Sequence, residues 1–227
     1  MKPIIYCTAA VLAATTLTGC GLRIKSHDEV KTIEKTININ EPFTAIEAFG
    51  MTDVKYTDGP TSIKLSAPAV IIDEIEVFVK GGTLYVGRDG QYSKKGYIES
   101  HIEISHPGVD TFITSGTGDF EIKSLNGKDI TMETSGTGDF DCGTINCTIL
   151  NANSNGTGDI EIKRLVCSKA GLFTDGTGDI NVDNLQADTV KGYTNGTGDL
   201  ILKGACKFAD LSEFGTGDVV NRLKIKD

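Results

Sequence analysis

In the C-terminal half of the chain, apolar side chains fall at every second position in short, evenly spaced runs. Phe120/Ile122, Phe140/Cys142, Ile160/Ile162, Ile180/Val182 and Leu200/Leu202 alternate with polar residues, the periodicity of a strand with one buried face. Each pair is followed by a lone apolar position, Leu125, Ile145, Leu165, Leu185 and Ala205. A second alternating run comes next: Ile130/Met132, Leu150/Ala152, Ala170/Leu172, Val190/Gly192 and, past a one-residue deletion, Ala209/Leu211. The pattern recurs every 20 residues. A fixed period of this length belongs to stacked supersecondary units that bury their apolar faces against one another. One unit holds about three short inward-facing runs separated by polar corners, so it reads as one coil of a parallel β-solenoid. The expected fold is all-β, a single-stranded right-handed β-helix, triangular in section, with the hand that parallel crossovers favour.

The register is marked by Gly-Thr-Gly-Asp, which begins at Gly116, Gly136, Gly156, Gly176, Gly196 and Gly215. Two glycines around a Thr suit a corner, where they permit positive φ and close approach of successive coils. The Asp opens the next strand and can accept corner N–H groups in an Asx-type turn. Thr117, Thr137, Thr157, Thr177, Thr197 and Thr216 are expected to stack as a hydroxyl ladder, with Asn155, Asp175 and Asn195 as a polar ladder beside it.

The N-terminal half alternates less regularly. Thr36–Ile39, Ala45–Phe49, Val54–Tyr56 and Ile63–Leu65 read as strands, and Ile71–Ile75 also fits one helical turn. Gly50–Tyr56 can be laid over Gly116–Ile122 as a degenerate repeat, and Gly81–Val86 is a weaker copy. Residues 36–110 are therefore expected to form irregular coils of the same solenoid, or a separate capping β-region, and residues 111–227 the regular coils.

Composition agrees with thin coils: 7% aromatic residues, no Trp and 27 Gly leave little material for a wide globular core. A formal charge of −9, with no basic patch interleaved with aromatics, excludes nucleic acid as a partner. At the N-terminus, Met1-Lys2 precedes an apolar stretch from Ile4 to Leu17 that ends in Leu17-Thr18-Gly19-Cys20. The stretch is too short to span a membrane. Its end resembles the bacterial lipobox, which implies a signal peptide over 1–19, acyl chains such as palmitate on Cys20, a tether over 20–35 and an envelope protein held on a membrane. The outer membrane is the expected site, on its periplasmic or its surface face.

Four cysteines remain beyond the leader: Cys142, Cys147, Cys167 and Cys206. Cys147 and Cys167 occupy one repeat position in adjacent coils, about 4.8 Å apart, within reach of a disulfide. The competing reading makes all four small fillers of the interior. His101 and Glu103 share one face of an alternating run, and His106 precedes Pro107; all three read as surface strand residues. No nucleophile elbow, phosphate loop or zinc spacing is present. Neither a catalytic residue nor a resident metal is assigned.

The carboxylates Asp119, Asp139, Asp159, Asp179, Asp199 and Asp218 should stand in one column. At the 4.8 Å spacing of strands, neighbouring charges repel by about 0.9 kcal/mol in water's dielectric and about 3.5 at an effective value near 20. Corner N–H groups, water and splaying can offset this, and that structural reading leads. Bound Ca²⁺ is the alternative, by analogy with the calcium-binding Gly-Gly-x-Gly-x-Asp nonapeptide. The present repeat departs from that motif in period, in the Gly-to-Asp offset and in having one such corner per coil.

Phe43-Thr-Ala-Ile46, Gly50-Met-Thr-Asp-Val54, Ile75–Val86 and the Gly-x-Gly-Asp repeats together resemble the putative auto-transporter adhesin, head GIN domain family. The resemblance covers roughly residues 40 to 220 and implies a secreted or lipid-anchored β-solenoid with an adhesive role; it supplies no catalytic residues. The reading is a non-enzymatic binding, adhesion or structural module with a protein or glycan ligand. A carbohydrate-active β-helix enzyme is the further alternative, disfavoured because corners without insertions leave little from which to build a cleft.

Overall fold

The computed structural model describes residues 31–88 and 100–226. The leader, Cys20 and most of the tether lie outside the described residues. The strands are β1 (Thr32–Ile37), β2 (Ala45–Phe49), β3 (Thr52–Thr57), β4 (Ser62–Pro68), β5 (Glu76–Lys80), β6 (Thr83–Gly87), β7 (Ser100–Ser105) and β8 (Thr111–Thr114), followed by β9 (Phe120–Asn126), β10 (Asp129–Thr134), β11 (Phe140–Asn146), β12 (Ile149–Ser154), β13 (Ile160–Thr174), β14 (Ile180–Thr194), β15 (Leu200–Glu213) and β16 (Val219–Ile225). A single 3₁₀ turn, Ile72–Glu74, falls inside the stretch that fits a helical turn.

The strands stack in parallel, in the register expected from the repeat. Phe140 lies between Phe120 and Ile160, and Ile180 between Ile160 and Leu200. About six turns of roughly 20 residues make the β-solenoid. Each coil contributes a strand after the Gly-Thr-Gly-Asp corner and a strand before the next one. In β13 and β14 these two runs join into one bent strand of 15 residues. Every second side chain turns inward, and Phe112, Phe120, Phe140, Ile160, Ile180 and Leu200 are at most 1% exposed. The aromatic bulk sits at one end of this series, where Tyr56 meets Phe112 edge-on at 4.9 Å and Phe120 stacks on Phe140 at 4.9 Å.

The one-residue deletion is absorbed at Gly204. Val182 still faces Leu202, but Leu185 faces Gly204 and not Ala205 as expected from spacing. Gly204 has φ of 142° and brings its Cα against the Leu185 carbonyl, so a Cβ has no room there. Downstream, Ala187 faces Cys206 and Val190 faces Ala209, so the register is restored.

The N-terminal half combines the two expected arrangements. Its parallel coils are β2–β3 and β6–β7, while antiparallel β1, β4 and β5 close the end of the stack: β4 pairs with β7, β1 with β4, and β5 with β6. The coils are not in chain order. β2 and β3 lie between β8–β9 on one side and β6–β7 on the other. The overlay of Gly50–Tyr56 on Gly116–Ile122 holds residue for residue, with Val54 facing Phe120 and Tyr56 facing Ile122. The Gly81–Val86 overlay does not: Thr83 faces Ala45, which puts β6 in the column before the corner. Its Gly-Gly-Thr is a hairpin turn between β5 and β6, with both glycines at positive φ, and mimics the repeat only in composition. Strand β1 also begins at Thr32, inside the segment read as tether, because Ile33, Lys35 and Ile37 pair with Ala67, Leu65 and Ile63 of β4.

Candidate functional site

The six corner carboxylates form a column that extends to a seventh, Asp53. Each but the last, Asp218, accepts the main-chain N–H of the Asp one coil further on. Asp119 N donates to Asp53 Oδ1 at 3.1 Å, Asp139 N to Asp119 at 2.9 Å and Asp159 N to Asp139 at 2.8 Å. The series continues from Asp179 to Asp159 at 2.7 Å, Asp199 to Asp179 at 2.7 Å and Asp218 to Asp199 at 2.8 Å. The carboxylate therefore serves the neighbouring coil, and not its own turn as in an Asx motif. A charged acceptor makes this a stronger hydrogen bond than a neutral amide pair.

On the inner side of the first five corners, the carbonyl of the second glycine is held by a buried hydroxyl. Gly118, Gly138, Gly158, Gly178 and Gly198 accept the hydroxyls of Thr114, Thr134, Ser154, Thr174 and Thr194 through their carbonyl oxygens, at 3.1, 2.9, 2.9, 2.8 and 2.6 Å. These five hydroxyl residues are fully buried. They are the internal polar column of the corner, and a Ser or Thr two residues before each of the first five tetrapeptides marks them in the sequence. The Thr inside each tetrapeptide plays a different part: Thr117, Thr137, Thr157, Thr177, Thr197 and Thr216 are exposed and tie coils together through their main-chain N–H groups, as in Thr137 N to Gly116 O at 2.9 Å. Of the outer polar ladder, Asn195 donates to Asp175 at 3.0 Å, while Asn155 turns to Glu133.

The tetrapeptide glycines have ordinary negative or extended φ, contrary to the expectation of positive values. They are required by close approach alone, since a Cβ at Gly138, Gly158 or Gly178 would run into the carbonyl oxygen of the glycine one coil earlier.

Beside the column, a groove of about 480 Å³ is lined by Asp53, Lys55, His101, Glu103, Asp119 and Glu121, among others. Carboxylates dominate its wall, and two contacts cross it: His101 Nδ1 lies 3.0 Å from Asp53 Oδ2, and Lys55 Nζ 3.0 Å from Glu121. The His101–Asp53 pair arises because β7 and β3 are neighbours, which a sequence separation of 48 residues conceals. His101 and Glu103 do share one face, as the alternation requires. His106 stacks on Phe43 at 4.0 Å. Among the described residues, no group of three or more His, Cys, Asp or Glu side chains converges where it could hold a metal ion.

The four cysteines are free thiols. Cys142 and Cys206 point into the core, and burial raises the Cys142 thiol far above the ordinary range. Cys147 and Cys167 are hydrogen-bonded neighbours in adjacent coils. That bond lowers the Cys147 thiol, whereas the bond and then burial raise Cys167.

Over residues 42–222 the chain matches the family described as putative auto-transporter adhesin, head GIN domain, and it belongs to that family. A crystal structure of a putative adhesin from Bacteroides fragilis is similar at 26% identity and a TM-score of 0.74, covering 83% of this chain and 96% of that one. A putative adhesin from Parabacteroides distasonis has 17% identity and a TM-score of 0.75, with 83% and 81% covered. A putative lipid binding protein from the same organism has 16% identity and a TM-score of 0.59, with 87% and 98% covered. These last two show the fold. The comparison with curated proteins yields no match. The family and the Bacteroides likeness support a bacterial cell-envelope or surface protein with an adhesion or binding role.

Proposed function

We propose that this chain is a non-enzymatic adhesion or binding head held on the bacterial envelope by acyl chains on Cys20. The observation that carries the reading is the match to an adhesin head family over nearly all of the solenoid. The corner chemistry supports it. The repeated Asp side chains are engaged in joining one coil to the next and the buried Thr/Ser hydroxyls in bracing each corner from inside, and a catalytic site needs unlike groups converging at one point. Long uniform outer faces remain, suited to contact with an extended partner. The lipobox resemblance at Leu17–Cys20 supports the anchor, since several acyl chains hold a protein on a membrane far better than one.

Two measurements test the proposal. Mass spectrometry of the protein from membranes should find the N-terminus at Cys20 carrying acyl chains, and Cys20→Ser should release the chain from the membrane fraction. Cells lacking the chain should adhere less to host or matrix surfaces than cells carrying it. Unmodified Cys20 in wild-type protein would remove the anchor, and unchanged adhesion would remove the adhesive role.

A further inference from the structure

Outward positions of a sheet are ordinarily polar, yet three successive coils place an aromatic ring on one outer face near the C-terminal end. Phe173 of β13 lies beside Tyr193 of β14 with ring centroids 4.9 Å apart and planes at 42°. Tyr193 in turn meets Phe214, beyond β15, at 6.0 Å and 69°. Phe173 and Tyr193 are in register along the stack axis, and Phe214 stands beyond Ser212 and Glu213, at the corner position that Asn195 holds one coil earlier. Phe173 leans over Gly171, where the Cε2 atom would stand only 2.9 Å from an added Cβ, so a glycine at this outward position lets the ring lie down on the sheet. Tyr193 is held by its hydroxyl, which donates to Asp175 Oδ2 at 3.0 Å, while the other oxygen of Asp175 accepts from the Asn195 amide at 3.0 Å.

Cross-strand pairing stabilises a sheet and accounts for Phe173 against Tyr193. It does not account for Phe214, which is 70% exposed. An aromatic strip left in water is the surface from which burial against a partner draws the most free energy.

The chemistry around the rings selects the partner. Asn153 stands in register with Phe173, and Asn155 and Asn195 sit at the flanking corners. Side-chain amides both donate and accept, as hydroxyl groups do. A polyanion would need a basic surface, and Lys191 is the cation among the outward positions of β14 beside the rings. A cation would need carboxylates that converge; both oxygens of Asp175 accept hydrogen bonds within the wall, and among the described residues no group of three or more His, Cys, Asp or Glu comes together. A peptide adding as a strand would need an open edge; β13 and β14 under Phe173 and Tyr193 are paired on both sides, and the edge that β15 leaves open beyond Cys206 lies one coil further on, so a strand added there would lie beside those two rings and not on them. We infer that the Phe173–Tyr193–Phe214 strip is a binding site for an uncharged glycan chain, whose sugar rings lie on the aromatic faces and whose hydroxyls exchange hydrogen bonds with Asn153, Asn155 and Asn195. The inference rests on the binding role proposed above and names the class of its ligand.

The test presents the full chain, purified from membranes, to immobilised cellohexaose, chitohexaose, maltohexaose and mannohexaose, with heparin as the charged comparison. At least one neutral hexaose should bind. Phe214→Ala and Tyr193→Ala should each weaken that binding by about tenfold or more, and Tyr193→Phe, which keeps the ring, by much less. Phe214 is so exposed that its alanine variant should keep the parent thermal midpoint. The assignment is overturned if no neutral hexaose binds, if heparin alone binds, or if binding survives both alanine changes. If glycan binding fails while deletion of the chain still lowers cell adhesion, the glycan assignment falls and the adhesive role stands, with a protein partner in its place. If deletion leaves adhesion unchanged while the hexaose binds through the strip, the adhesive role falls and the site stands.

Discussion

The main-chain N–H of Asp159 donates to the carboxylate of Asp139 in the coil before it, at 2.8 Å. One such bond crosses each corner of the regular stack, which explains how a row of like charges is tolerated: every carboxylate but the last holds a fixed N–H dipole of its neighbour, and all face solvent. The oxygen is what the corner needs, and its charge is secondary. Asp159→Asn keeps an acceptor and removes two repulsions of about 0.9 kcal/mol each at water's dielectric, so it should leave the thermal midpoint unchanged or slightly raised. Asp159→Ala should cost about 1.5 to 3 kcal/mol, the usual loss when a hydrogen bond to a charged group is removed. Millimolar Ca²⁺ or a chelator should shift the wild-type midpoint little. A rise of many degrees with Ca²⁺, abolished in Asp159→Asn, would establish the column as a calcium site instead.

Inside the corner, the Thr134 hydroxyl is the donor to the buried Gly138 carbonyl at 2.9 Å. Thr134→Val preserves shape and leaves that carbonyl without its partner, at about 1 to 3 kcal/mol. Thr134→Ser should stay close to wild type, because Ser154 already fills the equivalent place one coil on. Urea unfolding of the two variants gives the comparison; a larger loss in Thr134→Ser than in Thr134→Val would mean that side-chain volume, and not the hydroxyl, matters at this position.

The regular coils were legible from the sequence because each 20-residue unit repeats both its apolar spacing and its corner residues, so one unit interprets the next. At the N-terminal end, single strands such as Ala45–Phe49 and Ile63–Leu65 were legible from alternation, but their stacking only where the chain copies that unit, at Gly50–Tyr56. Its antiparallel strands close the stack through partners far apart in sequence, such as Lys35 with Leu65 and Lys64 with Glu103, and no local period records such pairings. The Asp column was visible as a row, but its hydrogen-bond partner was not, since a main-chain N–H leaves no mark on side-chain spacing. The buried Thr114, Thr134, Ser154, Thr174 and Thr194 were in plain sight at a fixed offset. Polar residues beside a Gly-rich corner resemble ordinary turn composition, and only burial distinguishes them.

The tetrapeptide glycines give a sharper test of the stacked corner. A Cβ at Gly158 meets the Gly138 carbonyl, which belongs to rigid backbone already bonded to Thr134. Gly158→Ala should therefore push two coils apart and cost about 3 kcal/mol, the scale of overpacking in a close-packed interior. Thr157 points its side chain to solvent, so Thr157→Ala should change stability by less than about 0.5 kcal/mol. Similar losses at both positions, measured by thermal or urea unfolding, would contradict the close approach of glycines across the corner.

Tyr56 makes the irregular end of the solenoid sensitive to alkali. Its ring is buried against Phe112 and its hydroxyl donates to the His106 carbonyl at 2.6 Å. Burial first, and the nearby Asp58 charge second, push the phenol from 10.0 up to about 12. The protonated form is thus favoured by the fold, while the unfolded chain releases the proton near its ordinary value. The stabilisation is complete below pH 10 and is lost as pH climbs from 10 to about 12, with a total on the order of 2 to 3 kcal/mol for a two-unit shift. Tyr56→Phe removes the titration along with the hydrogen bond, so it should be less stable than wild type at pH 8, and the gap should narrow steadily between pH 10 and 12. Chemical denaturation across that range measures it. A gap that stays constant with pH would show that Tyr56 ionises in the folded protein as readily as in the unfolded one.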